Sequence, residues 1–460
     1  MIQQTTDSRT ASSPAAPAVQ YRDAAWASEL LGGAHDADTV RDTIARLDES
    51  ALEPLGLGLF YMNLLAALGD RVDPGEVRRL ALAAARTKLW RGWEFYHGYM
   101  SSLGHDPAVA TAPRLLDFDP ERLRSLLAGG KGLMVCSFHL GDYRHLPTDM
   151  ALAGLGCTLP LDTRACSDYR QAVAATGEER IRLVQAVDVE EPGGARALAK
   201  ALAKRQLVFA YVDGNTGTDG PMGDQARTEI ELLGYPVRVK NGLMRLAARF
   251  GTPILPVYAV RRGGGDQRDP GTWVAGEVLE PGGALRGEAQ ESFVREALEH
   301  LYRFFETGVR EAPEQWETAC FYHRWRAGTA PRPIEETPVD VARRRLEEGI
   351  AGGRVLRLDR RWVAEVRRGG ASAWADVRTL RAFEVPAERR SLLDRLAADA
   401  GVDREWLAAH GGAADDALEL LAPLAGRGLI TVEDRRAGSP AQEDEFRGGP
   451  WSSPLSSRSV

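Results

Sequence analysis

The arrangement of apolar and polar residues divides the chain into regions with different patterns. From about Tyr21 to Met100, apolar residues recur at helical spacing, as in VRDTIARLDES and EVRRLALAAARTKLW. From about Phe118, short apolar runs alternate with helical stretches. We therefore predict a helical region followed by a region of alternating strands and helices.

The alternating region contains apolar runs that have the length and composition of buried strands. They are LMVCSF (Leu133–Phe138), QLVFAYV (Gln206–Val212), YPVRV (Tyr235–Val239) and PILPVYAV (Pro253–Val260). Buried strands separated by helical patterns are typical of an α/β domain with a largely parallel sheet. The domain is predicted to end near Trp325.

A Pro-rich stretch, AGTAPRPIEETPVD, follows that domain and reads as a linker. A smaller unit with a strand or hairpin pattern and helical patterns comes after it. The predicted organisation is a disordered leader (1–20), a main domain (21–327, with a helical part 21–110 and an α/β part 111–327), a linker (328–339), a small α+β domain (340–434) and a disordered tail (435–460).

Composition narrows the protein class. Hydrophobic residues make up 44% of the 460 residues, which excludes a globally disordered chain. The formal net charge is −7, which argues against a surface built throughout for nucleic acid. The four cysteines form no CxxC pair, so we predict no metal site and no disulfide framework. Reduced, mostly buried thiols indicate a cytoplasmic protein.

No segment has the pattern of a signal peptide or a membrane span. The most apolar stretch, Leu55 to Leu68, has 14 residues, whereas a spanning helix needs roughly 20. We therefore predict a buried or interfacial helix there, and any membrane contact would be peripheral.

A histidine follows the first predicted strand. His139 lies in FHLGDYRHLP, at the position where open α/β sheets bind ligands, and Gly141 allows a close backbone approach. An imidazole there can take a proton from an attacking hydroxyl or amine. The alternative is a structural histidine that hydrogen-bonds the loop.

A second polar loop, VDGNTGTDG, follows the strand Gln206–Val212. Asp213, Asn215 and Asp219 lie there among glycines, on the same sheet edge as His139 if both strands are parallel. Such a loop can order a polar ligand or turn backbone amides toward one. An Asx-type turn is the alternative.

A basic stretch forms the third candidate. From Arg238 to Arg262 there are six basic residues and no acidic one, and Asn241 is a predicted helix N-cap. A helix N-terminus beside a lysine can bind an anion, so we predict a phosphate-bearing donor here. The alternative is a solvated basic helix face. The candidate residues are Arg238, Lys240, Asn241, Arg245 and Arg249.

In this order, the segments resemble the bacterial lipid A biosynthesis (lauroyl/myristoyl-type) acyltransferases of the lysophospholipid acyltransferase superfamily. GLMVCSFHLGDYRHLP resembles the family's strand and His-containing motif, and ALAKRQLVFAYVDGN resembles the segment ending in its second conserved loop. ELLGYPVRVKNGLMRLAARFGTPILPV and PEQWETACFYHRWR (Pro313–Arg326) resemble its later strand and its terminus. The resemblance covers about Tyr21 to Arg326. It implies a mostly parallel sheet flanked by helices.

The resemblance also implies acyl transfer, with a histidine as base and an acidic residue five positions later that orients it. Here that position is Arg144, which cannot accept a hydrogen bond and would lower the pKa of a nearby histidine. We therefore assign the orienting role to Asp142, with an N-cap as its alternative. Pro147 is expected to interrupt the next helix. A second histidine, His145, lies beside the motif, and Asp149 and Asp213 are further candidates for the site.

Two other features bear on the substrate. Many lipid A acyltransferases carry an N-terminal spanning helix, and its absence favours a soluble acceptor over a lipid. The unit 340–434 weakly resembles the PqqD-like winged-helix domains that recognise peptides, through RVLRLDRRWVAEV and ALELLAPLAGRGLITV. A packing or dimerising appendage is the alternative for that unit.

The leading hypothesis is a soluble acyltransferase in which His139 is the general base and Asp142 holds its ring. The acyl donor is the only cosubstrate expected: acyl-CoA, an acyl carrier protein or an aminoacyl-tRNA. The acceptor is a hydroxyl or amine of a small molecule or natural product. The rival hypothesis is a catalytically degenerate protein that binds a carrier protein, a peptide or an RNA-linked partner.

Overall fold

We analysed a computed structural model of the chain. The structure describes residues 36–69, 71–103, 114–214, 227–262, 270–326, 334–368, 371–384, 389–398, 400–409 and 414–434. The predicted leader (1–20) and tail (435–460) lie outside these residues.

A six-stranded sheet forms the centre of the chain. Its strands are β1 (Leu133–Ser137), β2 (Cys157–Leu161), β3 (Val184–Asp188), β4 (Leu207–Tyr211), β7 (Ile254–Val260) and β8 (Thr272–Ala275). Their order across the sheet is β3-β2-β4-β1-β7-β8. Neighbouring strands are parallel except for the antiparallel pair β7 and β8. The mostly parallel α/β sheet is therefore confirmed.

Apolar side chains cover both faces of this sheet. Met134 and Cys136 of β1 belong to one hydrophobic cluster, while Leu133 and Val135 belong to another. Successive residues of a strand point to opposite faces, so β1 is buried on both sides. This explains why its sequence is continuously apolar rather than alternating.

Helices supply the layers on the sheet and the region before it. The helices of the N-terminal region are α1 (Ala37–Arg46), α2 (Glu49–Leu52), α3 (Leu57–Leu68), α4 (Pro74–Trp93) and α5 (Met100–Ser102), with a π-helical turn at Glu94–Tyr99. Those of the α/β region are α6 (Pro120–Ala128), α7 (His145–Leu152), α8 (Thr163–Ala175), α9 (Gly194–Ala203), α10 (Gly242–Phe250), α11 (Gly287–Glu311) and α12 (Tyr322–Arg326). Short 3-10 turns lie at Glu53–Leu55, Glu179–Leu183, Pro313–Gln315 and Glu317–Phe321.

Two helix predictions have clear outcomes. The apolar segment forms α3, whose Phe60 and Leu64 are fully buried in the core. No single helix of the described residues is long and apolar enough to cross a membrane. The bent pair Glu49–Leu55 and Leu57–Leu68, with an angle of 83° between its helices, reaches that length and apolarity only when the two are taken together.

The interruption expected at Pro147 is wrong, because this proline lies in the first turn of α7, where its missing N–H costs no helical hydrogen bond.

The predicted strand Tyr235–Val239 does not belong to the parallel sheet. It forms β6 (Tyr235–Lys240), which pairs antiparallel with β5 (Arg227–Leu232) in a separate hairpin. The connecting Leu233 and Gly234 both have positive φ, of 53° and 78°. A two-residue turn of this kind can only reverse the chain, so antiparallel pairing follows.

The chain divides into two compact units. The first contains the described residues between 36 and 326 and between 360 and 384, and the second contains those between 334 and 359 and between 389 and 434. The unit boundary therefore differs from the expected domain 340–434, since residues 360–385 belong with the first unit. There they form a three-stranded sheet of β10 (Val363–Arg368), β11 (Ala371–Asp376) and β12 (Arg381–Glu384).

The described part of the second unit is a small α+β body. Its two-stranded antiparallel sheet pairs β9 (Val355–Leu358) with β13 (Ile430–Glu433). Its helices are α13 (Val339–Ala351), α14 (Arg390–Ala397), α15 (Arg404–Ala409) and α16 (Ala414–Gly426). The winged-helix resemblance of this unit stays a prediction.

Candidate active site

The candidate site lies at the carboxyl ends of two neighbouring parallel strands. Strands β1 and β4 pair over their whole length, with Ser137 opposite Tyr211. His139 follows β1 by two residues, and Asp213 follows β4 by two residues. Because the strands run in register, the two side chains reach the same place at the edge of the sheet. The shared edge was predicted from the sequence for the case that both strands are parallel, which they are.

Asp213 is the carboxylate that contacts the imidazole. Nδ1 of His139 lies 2.8 Å from Oδ1 of Asp213. The backbone N–H of His139 donates to the same carboxylate, at 2.9 Å from Oδ2. The carboxylate can only accept, so Nδ1 carries the ring proton. The other ring nitrogen, Nε2, is then the basic one.

Two tyrosine rings flank the imidazole. The centroid of the His139 ring lies 4.7 Å from that of Tyr143 and 4.9 Å from that of Tyr211. The hydroxyl of Tyr211 donates to the Tyr143 carbonyl, at 3.1 Å. The side chain of Asp213 is fully buried, whereas that of His139 is 22% exposed. Among the described residues, Nε2 of His139 makes no hydrogen bond, so it is accessible to a reactant.

The segment Pro313–Phe321 contacts both His139 and Asp213. Glu317 donates its backbone N–H to the His139 carbonyl, at 2.9 Å. The hydroxyl of Thr318 donates to Oδ2 of Asp213, also at 2.9 Å. No local pattern in the sequence pointed to a role for Thr318 or Trp316. Their only signal was the family resemblance of PEQWETACFYHRWR.

The expected hydrogen bond between Asp142 and His139 is absent, and that assignment is wrong. Oδ2 of Asp142 accepts from Nε of Arg261 at 2.7 Å, and Nε of Arg91 lies 3.5 Å from Oδ1. Burial raises the pKa of Asp142, but the two guanidinium groups bring it below its usual value. Asp142 turns away because Arg261 follows the neighbouring strand β7 and meets it at the sheet edge.

Gly141 allows this loop to approach β7. It has a φ of +67°, and a Cβ built on it would lie 1.4 Å from the Ala259 carbonyl oxygen. The next residue, Asp142, donates its backbone N–H to that same oxygen at 2.8 Å. A side chain at position 141 would therefore exclude the observed loop.

Arg144 forms a partly buried ion pair with Glu317 and does not act on the histidine as an isolated cation. Both of its terminal nitrogens donate to the carboxylate of Glu317, each at 2.8 Å. Burial raises the pKa of Glu317, but Arg144 and Lys88 bring it down to about 2. The Glu317 carboxylate therefore compensates the positive charge of Arg144 near His139.

His145 is buried rather than exposed to a substrate. Its Nε2 lies 3.1 Å from a carboxylate oxygen of Glu94, which also pairs with Arg114. Burial raises the pKa of nearby Asp149 to about 6, although His145 opposes this shift. The substrate-binding role expected for His145 is wrong, because the ring is enclosed by Glu94 and aromatic residues.

The basic stretch differs from the predicted anion site in two respects. Asn241 does not cap α10 through its side chain, because its oxygen accepts from Arg245 and its amide donates to Thr228. Arg245 also pairs with Glu291, at 2.6 Å. Both side chains are thus committed to contacts within the protein.

The remaining candidates stay predictions. Arg238 lies on β6 directly across from Glu229, Lys240 ends the same strand, and Arg249 is exposed on α10. In the described part of the chain, no hydrogen bond or ion pair joins them to His139. Asn215 lies outside the described residues.

The described residues also show how the metal-ligating residue types and the cysteines are placed. No group of three or more His, Cys, Asp or Glu side chains among them is arranged to hold a metal ion. All four cysteines are free and buried, as predicted. The geometry that remains at the sheet edge is a buried carboxylate, an oriented imidazole and an accessible Nε2, which can do general-base chemistry.

Comparison with known proteins adds no relative. No protein-family model matches the chain, and no curated protein matches it. The resemblance to the lysophospholipid acyltransferases therefore stays a prediction.

Proposed function

We propose that this protein is an acyltransferase in which His139 is the general base and Asp213 orients it. The observation that carries the proposal is the 2.8 Å contact between Nδ1 of His139 and Asp213, at the carboxyl ends of adjacent parallel strands. Asp213 thereby supplies the carboxylate for His139 that the resembled family has five positions after its histidine, where this chain has Arg144. The resemblance of four ordered segments to acyltransferases supports the same reaction class.

In the proposed reaction, Nε2 of His139 takes the proton from a hydroxyl or amine of the acceptor. The acceptor atom attacks the acyl carbonyl and forms a tetrahedral intermediate. As that intermediate collapses, the bond to the donor's sulfur or oxygen breaks, and the imidazolium returns the proton to this leaving group. Asp213 stabilises the imidazolium throughout, as a buried carboxylate does in other histidine-based sites.

The donor class is a thioester or an activated ester: acyl-CoA, an acyl carrier protein or an aminoacyl-tRNA. The acceptor is a small molecule or natural product with a hydroxyl or amine. The reaction requires the donor as cosubstrate and no further cofactor. The rival hypothesis, a degenerate binding protein, rested on Arg144, and the Arg144–Glu317 pair together with Asp213 weakens that argument.

Donor cleavage tests the proposal. Purified protein is incubated with each donor class plus a panel of hydroxyl and amine acceptors, and mass spectrometry follows the acyl group. We expect His139→Ala to lower turnover by about 10²–10⁴-fold, the usual worth of general-base catalysis. The control is His300→Ala, a partly buried histidine on α11 with no place in the proposed site.

Equal rates for the wild type and His139→Ala would contradict the base assignment. Binding of one donor without cleavage, unaffected by His139→Ala, would favour the degenerate binding protein instead.

A further inference from the structure

We infer that Thr318, itself held by Trp316, is a positioning residue that keeps the Asp213 carboxylate aimed at His139. This inference rests on the proposed function, because it concerns the base of that reaction. The motif PEQWET would then contribute to the site through its hydroxyl and indole groups, although neither faces the reactants.

The Asp213 carboxylate is held from two sides. From the loop after β1, His139 donates both its backbone N–H and its ring Nδ1–H. From the segment Pro313–Phe321, Thr318 donates its hydroxyl at 2.9 Å to Oδ2. Without Thr318, both groups that hold the carboxylate belong to the very residue it has to orient.

Trp316 determines the direction in which the Thr318 hydroxyl points. Its Nε1 lies 2.9 Å from Oγ1 of Thr318, and an indole N–H can only donate. Oγ1 must therefore accept from Trp316, which leaves its own proton for Asp213. Trp316 is fully buried and Thr318 nearly so, so water does not compete for these hydrogen bonds.

The chain of donors has one consequence for the imidazole. A carboxylate fixed by Thr318 accepts from Nδ1 in a single geometry, which favours the tautomer with Nδ1–H and a basic Nε2. A carboxylate held only by His139 can rotate with the ring. The ring then samples the other tautomer, in which Nε2 carries the proton and cannot act as a base.

The test compares Thr318→Val with Thr318→Ser. Valine has the same shape without the hydroxyl, while serine restores it. We expect ¹⁵N NMR of histidine-labelled full-length protein to show one Nδ1–H tautomer for His139 in the wild type and in Thr318→Ser. In Thr318→Val we expect a mixture of tautomers, with the Nδ1–H proton resonance broadened or lost.

Kinetics give a second readout. We expect Thr318→Val to lower kcat by about 10–100-fold, the equivalent of one hydrogen bond to a charged group, with KM unchanged because Thr318 does not face the reactants. Thr318→Ser should restore most of the rate. Trp316→Phe keeps the hydroxyl, so it should affect the tautomer less than Thr318→Val.

The outcomes separate this inference from the proposed function. An unchanged His139 tautomer in folded Thr318→Val overturns the inference, whether or not a donor is cleaved. Altered tautomers in a protein that cleaves no donor leave the geometry standing and overturn the acyltransferase proposal. Should Thr318→Val fail to fold, the wild type still provides a test. In the wild type, NMR must show a Thr318 hydroxyl proton that is protected from exchange with water and close to the indole N–H of Trp316. If no such proton is detected, the inference is overturned.

Discussion

At the scale of single residues, the site depends on which carboxylate reaches His139. Asp142 is three positions away in sequence, and Asp213 is 74 positions away. The nearer residue is bound by Arg261, whereas the distant one contacts the imidazole. Local spacing therefore misassigned the partner, and the two aspartates have opposite roles: one belongs to the site and one to the stability of the fold.

These roles predict opposite results for the same substitution. Asp213→Asn should lower turnover by about 10²–10⁴-fold, because the amide can favour the wrong histidine tautomer. Asp142→Asn should instead destabilise the fold by about 3–5 kcal/mol, because it leaves buried Arg91 and Arg261 without their carboxylate. Urea unfolding and donor cleavage, measured on both variants, check the contrast. If the two variants lost the same activity and the same stability, the separate roles of Asp213 and Asp142 would be wrong.

At the scale of elements, the ends of three adjacent strands hold the loop that carries His139. Strand β1 lies between β4 and β7, so the loop carrying His139 meets Asp213 on one side and Arg261 on the other. The loop is short and turns at Gly141, which contacts the Ala259 carbonyl. This close approach of loop and strand fixes the path of the loop that carries His139.

Gly141→Ala should therefore disrupt the loop. We expect a destabilisation of at least about 3 kcal/mol, since the new Cβ would overlap backbone atoms that cannot move aside. The matched control is Gly154→Ala, which has a similar φ of +78° but no atom within 4 Å of the built Cβ. The control should cost about 1 kcal/mol, from backbone strain alone. Thermal denaturation of both variants tests the difference, and similar losses would show that the clash is relieved.

At the scale of the whole molecule, a set of buried or partly buried charged residues adjoins the loop that carries His139. Arg91 and Arg261 face Asp142, and Arg144 faces Glu317. Burying charges costs free energy unless partners compensate them. Each of these groups faces an opposite charge.

Asp149 is also buried, but its hydrogen bonds come from the Tyr99 hydroxyl and the Leu115 backbone N–H, which are neutral. Burial raises the pKa of Asp149 to about 6.

Asp149 should make stability depend on pH in a specific direction. Its pKa is about 6 in the folded chain against an ordinary value of 3.8. Between these two values the folded state holds a proton that the unfolded state has lost, so the free energy of unfolding falls as the pH rises. Across the window this amounts to roughly 3 kcal/mol. Below pH 3.8 the contribution no longer changes.

Asp149→Asn removes this titration and keeps an oxygen that can accept from Leu115. We expect the variant to gain stability relative to the wild type as the pH rises from 4 to 6. Urea unfolding at intervals of one pH unit measures the difference. Parallel curves for the two proteins would show that Asp149 is not the titrating group.

Much of the fold follows from local patterns. The apolar runs around positions 133, 207 and 254 all became strands of the central sheet, and α3 and the buried cysteines also matched expectation. The strand predicted at Tyr235 is present, but it does not join the parallel sheet, because the pattern does not specify pairing and the Leu233–Gly234 turn directs it into a hairpin. The grouping of residues 360–385 with the first unit also depends on contacts that are distant in sequence, which local patterns do not show.

By itself, the sequence determined that His139 and Asp213 each follow a buried strand, because strand formation depends on neighbouring residues. Only the tertiary structure decided that these strands lie side by side, that Asp142 turns to Arg261, and that Thr318 reaches the carboxylate. Strand order and side-chain partners depend on contacts between residues far apart in sequence. Local spacing carries no information about such contacts, so the site became visible only when the sheet was assembled.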